Sequence, residues 1–197
     1  MKNFATIILV SLAMLVQAQD FKTLNSVSQR DTLPAEKSII YGNFIQRLGF
    51  SSGGFPQYIH LINLDTKEIV RFRVKSTFRS AKENTFIYFI EPGNYAILDY
   101  SWTQSKWYGG TMFSEPIFQN VDASDDFETR IKSSAIDTNK LRKFTFTILK
   151  NSVNYVGTWH FDTGLVSFTD DKETLDDTLK KRYKNLDFST AQLLLPK

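Results

Sequence analysis

The chain has no cysteine. Disulfide-stapled scaffolds and a lipid anchor on an N-terminal Cys are excluded by that one absence. Glycine and proline are scarce, 9 and 5 in 197 residues, so collagen-like and low-complexity classes fall away as well. Charge is nearly balanced, with 24 basic and 21 acidic side chains and a formal net charge of +3, too little for a non-specific nucleic-acid binder. The apolar run Phe4–Val16 is shorter than the roughly 20 residues a spanning helix requires. No Asn-x-Ser/Thr acceptor occurs, which with the missing cysteines points to a bacterial rather than a eukaryotic exported protein.

What is abundant is aromatic side chain, 17 Phe, 8 Tyr and 3 Trp. At the N-terminus Lys2, the apolar run and Val16-Gln17-Ala18 form the three parts of a secretory signal, with cleavage expected between Ala18 and Gln19. The mature chain is then expected in the periplasm or outside the cell, with no membrane-spanning segment. Residues 19–37 are polar, contain Pro34 and read as a flexible linker; residues 38–197 read as one domain.

From Ser38 onward the apolar pattern has period two. Val70, Phe72 and Val74 alternate with Arg71, Arg73 and Lys75; Phe144, Phe146 and Ile148 alternate with Thr145 and Thr147. Further strands are expected at 39–48, 57–64, 85–90, 95–102, 107–113, 153–161 and 165–168. Polar or Gly/Pro turns separate them, among them Asp65-Thr66-Lys67, Glu91-Pro92-Gly93-Asn94 and Asp162-Thr163-Gly164. The stretch 119–140 breaks the alternation and reads as a surface connection with a turn or two of helix. Asp170 with Glu173 opens an amphipathic helix over about 170–184, whose stripe is Leu175, Leu179 and Tyr183. The fold class expected is all-β, an antiparallel β-sandwich with one C-terminal helix covering a sheet edge or end.

Motifs of catalysis are present only as fragments. Gly49-Phe50-Ser51-Ser52-Gly53 fits the nucleophile elbow, but another strand follows it where that motif requires a helix. A small secreted serine hydrolase using Ser51 with His60 or His160 is therefore the alternative reading. Phe161-Asp162-Thr163-Gly164 has the aspartic-protease tripeptide without its following Ser or Ala, and hairpin turns use the same residues for steric reasons. The histidines lack a second ligand at helical or strand spacing, and Asp122, Asp125, Asp126 and Glu128 lack the alternation and glycine of a calcium loop. No metal and no cofactor is expected. Arg71, Arg73 and Lys75 fit either the solvated face of a sheet or a surface that meets phosphates or acidic glycans. Tyr100, Trp102, Trp107 and Tyr108, followed by Gly109-Gly110, are the feature most suited to binding, because rings fixed on a sheet present apolar area at little entropic cost. Trp102, Trp107 and Tyr108 are the candidate ligand residues.

The segment 40–196 resembles uncharacterised exported β-sandwich proteins and lipoproteins of Gram-negative bacteria. The likeness rests on Pro92-Gly93-x-Tyr95, Tyr155-x-Gly157-Thr158, Val166-x-Phe168 and Tyr183-x-x-Leu186. The Pro-Gly-x-Tyr element is also similar to prealbumin-like domains. This resemblance implies an immunoglobulin- or prealbumin-like sandwich and carries no catalytic residue. The function expected is non-enzymatic binding of an envelope protein or glycan; a structural subunit of an envelope assembly is the third reading.

Overall fold

A computed structural model describes residues 21–45, 57–74, 83–106, 109–116, 129–130, 133, 135–137, 140–141, 143–161 and 166–197. The described residues are mostly strand. In chain order they are β1 (Lys22–Thr23), β2 (Ser38–Ile45), β3 (Gln57–Asn63), β4 (Ile69–Val74), β5 (Glu83–Ile90), β6 (Gly93–Lys106), β7 (Gly109–Pro116), β8 (Thr145–Ile148), β9 (Val153–His160), β10 (Ser167–Thr169), the helix α1 (Lys172–Arg182) and β11 (Gln192–Leu193). One sheet runs β1-β4-β3-β6-β7, with β8 pairing the start of β6; the other runs β10-β9-β2-β5, with β11 also on β9.

The period-two pattern places its apolar set as expected. Ile59 and Leu61 of β3, Val70, Phe72 and Val74 of β4, and Ile97 and Tyr100 of β6 meet Ile40 and Phe44 of β2, Phe86 of β5 and Trp159 of β9 in one cluster. The two sheets therefore face each other across a shared core, in sandwich fashion. Trp159 is fully buried there, its ring 5.3 Å from Phe86 and 5.8 Å from Phe168, and its indole N–H donates to Val156 O at 2.7 Å.

Three expectations are corrected. The pairing is mixed rather than antiparallel: β1 with β4, β2 with β9, and β11 with β9 are parallel. Each of these pairs joins segments far apart in the chain, so no tight turn constrains their direction. Both sheets are also covered on both faces. Strand β2 is buried at every position but its last, because Ile39 and Tyr41 leave the central core for a second cluster with Val153, Tyr155, Leu175, Leu179 and Tyr183. Helix α1 thus lies on a sheet face, not at an edge. On the far side of the other sheet, Ile62, Ile69, Ala96 and Leu98 pack with Phe21, Ile136 and Leu141.

The third correction concerns residues 21–37. Polarity reads them as a tether, yet Phe21, Leu24 and Val27 are buried, one in each of the three clusters. Leu24 N–H donates to Arg71 O on the outermost long strand of the first sheet; Phe89 N–H donates to Asn25 O, and Val27 N–H to Ile87 O, on the edge of the second. The segment is a strap across the open side of the sandwich. The C-terminus does the same elsewhere, with β11 on β9 and Lys197 exchanging backbone hydrogen bonds with Thr145 of β8.

The helix is fixed to its sheet by polar groups as well. Tyr41 Oη donates to Asp176 Oδ1 at 2.5 Å, and Lys172 Nζ donates to Asp176 Oδ2 at 2.6 Å and to Phe188 O at 3.3 Å. At the helix start Lys172 N–H donates to Asp170 Oδ1 at 3.0 Å. Burial, then the bond to Asp176, pushes the Tyr41 phenol far above its ordinary value, and burial pushes Tyr95 up to about 12. A phenol that keeps its proton in the fold but releases it at about pH 10 when unfolded stabilises the fold below that pH and less above it. Unfolding midpoints in urea are therefore expected to fall as pH rises from about 10, with a shallower fall in Tyr41→Phe. A midpoint flat across that window, with slopes identical in the two proteins, contradicts the assignment.

Candidate functional site

The outer face of the first sheet brings His60, Asp99 and Arg71 together. His60 on β3 stands directly opposite Asp99 on β6, while Leu61 stands opposite Ile97, so Leu98 is an extra residue on β6. Such a bulge turns two successive side chains toward one face. Here it brings Asp99 onto the face of His60, and Nδ1 and Oδ1 meet at 2.5 Å with the side chains 6% and 1% exposed. Asp99 also keeps a further interaction.

On the other flank of His60 the register partner is Arg71 of β4. Its guanidinium lies 4.8 Å from the Tyr58 ring centroid and 5.8 Å from that of Phe21, and Nε donates to Thr23 Oγ1 at 3.0 Å. Phe21 also packs against His60, centroids 4.8 Å apart. Tyr58 and His60 share a face because they are two apart on one strand. Phe21 and Thr23 come from the N-terminal strap, which is held here by the parallel pairing of Thr23 with Arg71. Four strands, β1, β3, β4 and β6, therefore converge on one patch that sets an arginine fork beside an imidazole. Among the described residues no hydroxyl shares a hydrogen bond with His60.

The other histidine sits elsewhere, on β9. His160 Nε2 is 2.8 Å from Thr169 Oγ1, which donates to Asp171 Oδ2 at 3.0 Å. This exposed chain ties β10 to the start of the helix, and His160 has a further interaction besides. The two histidines are thus on different sheets and do not form one constellation. Ser51, Asp162-Thr163-Gly164, the acidic residues 122–128 and the cleavage pair Ala18 and Gln19 lie outside the described residues.

Trp107 and Tyr108 lie outside them too; Trp102 is a strand position of β6, paired with Gln57 and Phe113. Tyr100, grouped with them by sequence, is buried in the central core against Phe44 and Phe161. The strands expected at 95–102 and 107–113 are longer and belong to one hairpin, paired through Lys106 and Gly109. Among the described residues no three His, Asp or Glu side chains assemble to hold a metal ion, and no helix is long and apolar enough to cross a membrane.

Sequence reasoning singled out Arg71 as an outward residue but not its aromatic clamp, and His60 but not Asp99. Alternation along β4 signals the former; nothing local signals a partner 39 positions away.

No protein-family model matches the chain, and no curated protein does. Two solved structures are similar over part of their length. A leucine-rich repeat protein from Bacteroides thetaiotaomicron shares 12% identity at a TM-score of 0.36 over 80% of this chain. A "Putative cell adhesion protein" from Parabacteroides distasonis shares 10% identity at a TM-score of 0.32 over 68% of it. This chain spans 17% and 37% of the lengths of those two proteins, and at such scores neither carries an argument about its function.

Proposed function

We propose that the chain is an exported, non-enzymatic binding protein of a bacterial envelope, periplasmic or secreted, whose β6–β7 hairpin offers Trp102, Trp107 and Tyr108 to an envelope protein or glycan. The observation that supports this reading is the length of the hairpin. Strand β6 has partners on β3 only as far as Trp102, whereas β7 follows it to Lys106. Among the described residues, positions 103–106 are therefore paired on one side alone, an arm of about 13 Å at roughly 3.3 Å per residue. Two aromatic residues, Trp107 and Tyr108, separate the last paired residues in sequence. Aromatic residues at the turn of such a hairpin suit contact with a partner, since rings offer large apolar area at little entropic cost.

The test is binding of the purified chain to immobilised glycans and peptidoglycan fragments, beside the double substitution Trp107→Ala, Tyr108→Ala. We expect saturable binding that weakens by about tenfold or more in the variant, with melting unchanged. Equal binding by both proteins removes the hairpin from the account. Ester or peptide turnover that disappears in Ser51→Ala would replace it with the hydrolase. A second reading, a structural subunit, is favoured by β7 itself, which among the described residues has β6 as its one partner. A crosslinked, stable complex formed through β7 would establish that reading.

A further inference from the structure

The patch around Arg71 goes beyond the hairpin reading and does not depend on it. Arg71 is half-buried, yet the only hydrogen bond of its side chain among the described residues is Nε to Thr23. Among the described residues its two Nη groups meet no carboxylate, although a guanidinium keeps its charge at any ordinary pH. Lys22 and Glu68 nearby are taken up with each other at 3.2 Å, and Asp99 is taken up with His60. The fork is also immobilised, because Tyr58 and Phe21 hold its plane and Thr23 holds its inner edge. A planar cation with its outer edge unused and its rotamer already fixed loses little entropy on taking a bidentate carboxylate.

His60 adds a second recognition element. Its Nδ1 is committed to Asp99, which orients the ring, and its Nε2 has no partner among the described residues. The imidazole stands directly opposite Arg71 across the β3–β4 ladder, where opposing side chains lie within about 5.5 Å at Cβ. From this geometry we infer that Arg71 and His60 form a binding site for an acidic sugar. The carboxylate pairs with the Arg71 Nη groups, and a neighbouring hydroxyl bonds His60 Nε2. A hydroxyl both donates and accepts, so it suits Nε2 in either tautomer. A bare carboxylate, as on an acidic peptide, meets the arginine but leaves the imidazole edge unused.

The test titrates the full chain with a galacturonate trimer in a calorimeter, with maltotriose, triglutamate and inorganic sulfate as comparisons. One saturable site for the uronate is expected, at least about tenfold weaker in Arg71→Lys, because an ammonium neither forks nor stacks. If Trp107→Ala, Tyr108→Ala loses the uronate while Arg71→Lys keeps it, the hairpin reading stands and this one falls. Uronate binding no tighter than that of maltotriose, triglutamate or sulfate also overturns it. Should Arg71→Lys fail to fold, the ring protons of His60 in the parent chain decide by NMR. They shift with the uronate and not with maltotriose if the site is real; no shift with the uronate refutes it.

Discussion

Replacing Gly42 by alanine is expected to destabilise the protein by about 3 kcal/mol, the upper part of the usual range for overpacking a filled core. A Cβ at position 42 would lie 2.3 Å from the carbonyl oxygen of Gly157 and 2.9 Å from Cζ of Phe86. The first neighbour is backbone and cannot rotate away. It sits in β9 where Tyr41 pairs with Tyr155 but Asn43 pairs with Thr158, so β9 carries one more residue than β2 over that interval. The extra residue brings Gly157 to a φ of +100°, a conformation side chains rarely adopt, with Thr169 O 3.3 Å and Leu195 Cδ2 2.8 Å from where its own Cβ would be. The strand cannot retreat, because β2 lies between β5 and β9 with packed clusters on both faces. In a domain of this size the loss corresponds to a fall of about 6–12 °C in Tm. Calorimetry of Gly42→Ala, Gly157→Ala and the double variant checks it. The two costs should fail to add, since the positions share one contact; a Gly42→Ala melt within about 1 °C of the parent contradicts the packing described.

The larger effect is expected from the N-terminal strap. Phe21, Leu24 and Val27 are each buried in a different cluster. At about 1.5–3 kcal/mol per fully buried side chain, the three together are worth roughly 5–9 kcal/mol before entropy. That is comparable with the whole stability of a typical domain, about 5–15 kcal/mol. Exchanging all three for serine should therefore leave little or no cooperative melting above room temperature. Leu24→Ala alone should cost about 3 kcal/mol. Far- and near-UV circular dichroism on heating reads both. A triple variant that melts like the parent would mean that residues 19–37 are the tether their polarity suggests.

That contrast shows what kind of information a sequence holds locally. The strands were legible because Val70, Phe72 and Val74 report their burial through alternation within a few residues, and the helix because Leu175, Leu179 and Tyr183 repeat at its period. The strap was not, because three apolar residues spaced by three among polar neighbours match neither template. Burial of β2 on both faces was signalled by the consecutive Ile39, Ile40 and Tyr41, the mark of a strand covered on both sides. The direction of the β2–β9 pair had no signal, since it depends on where distant segments return. The site follows the same rule. Arg71 was placed outward by its strand, but its clamp needs Phe21 from the strap, and the bond from His60 to Asp99 needs a bulge at Leu98 that no turn residue marks.

We propose that this fold presents ligands with a rigid surface and an extended hairpin, and performs no bond-breaking chemistry. The measurement that tests it most directly is equilibrium binding of the chain to a glycan and peptidoglycan array, run beside an ester and peptide turnover assay on the same ligands. The account predicts saturable retention that is weakened by Trp107→Ala, Tyr108→Ala, with every retained ligand recovered intact. Retention of nothing, or a ligand recovered cleaved by the parent chain and intact from Ser51→Ala, would contradict it.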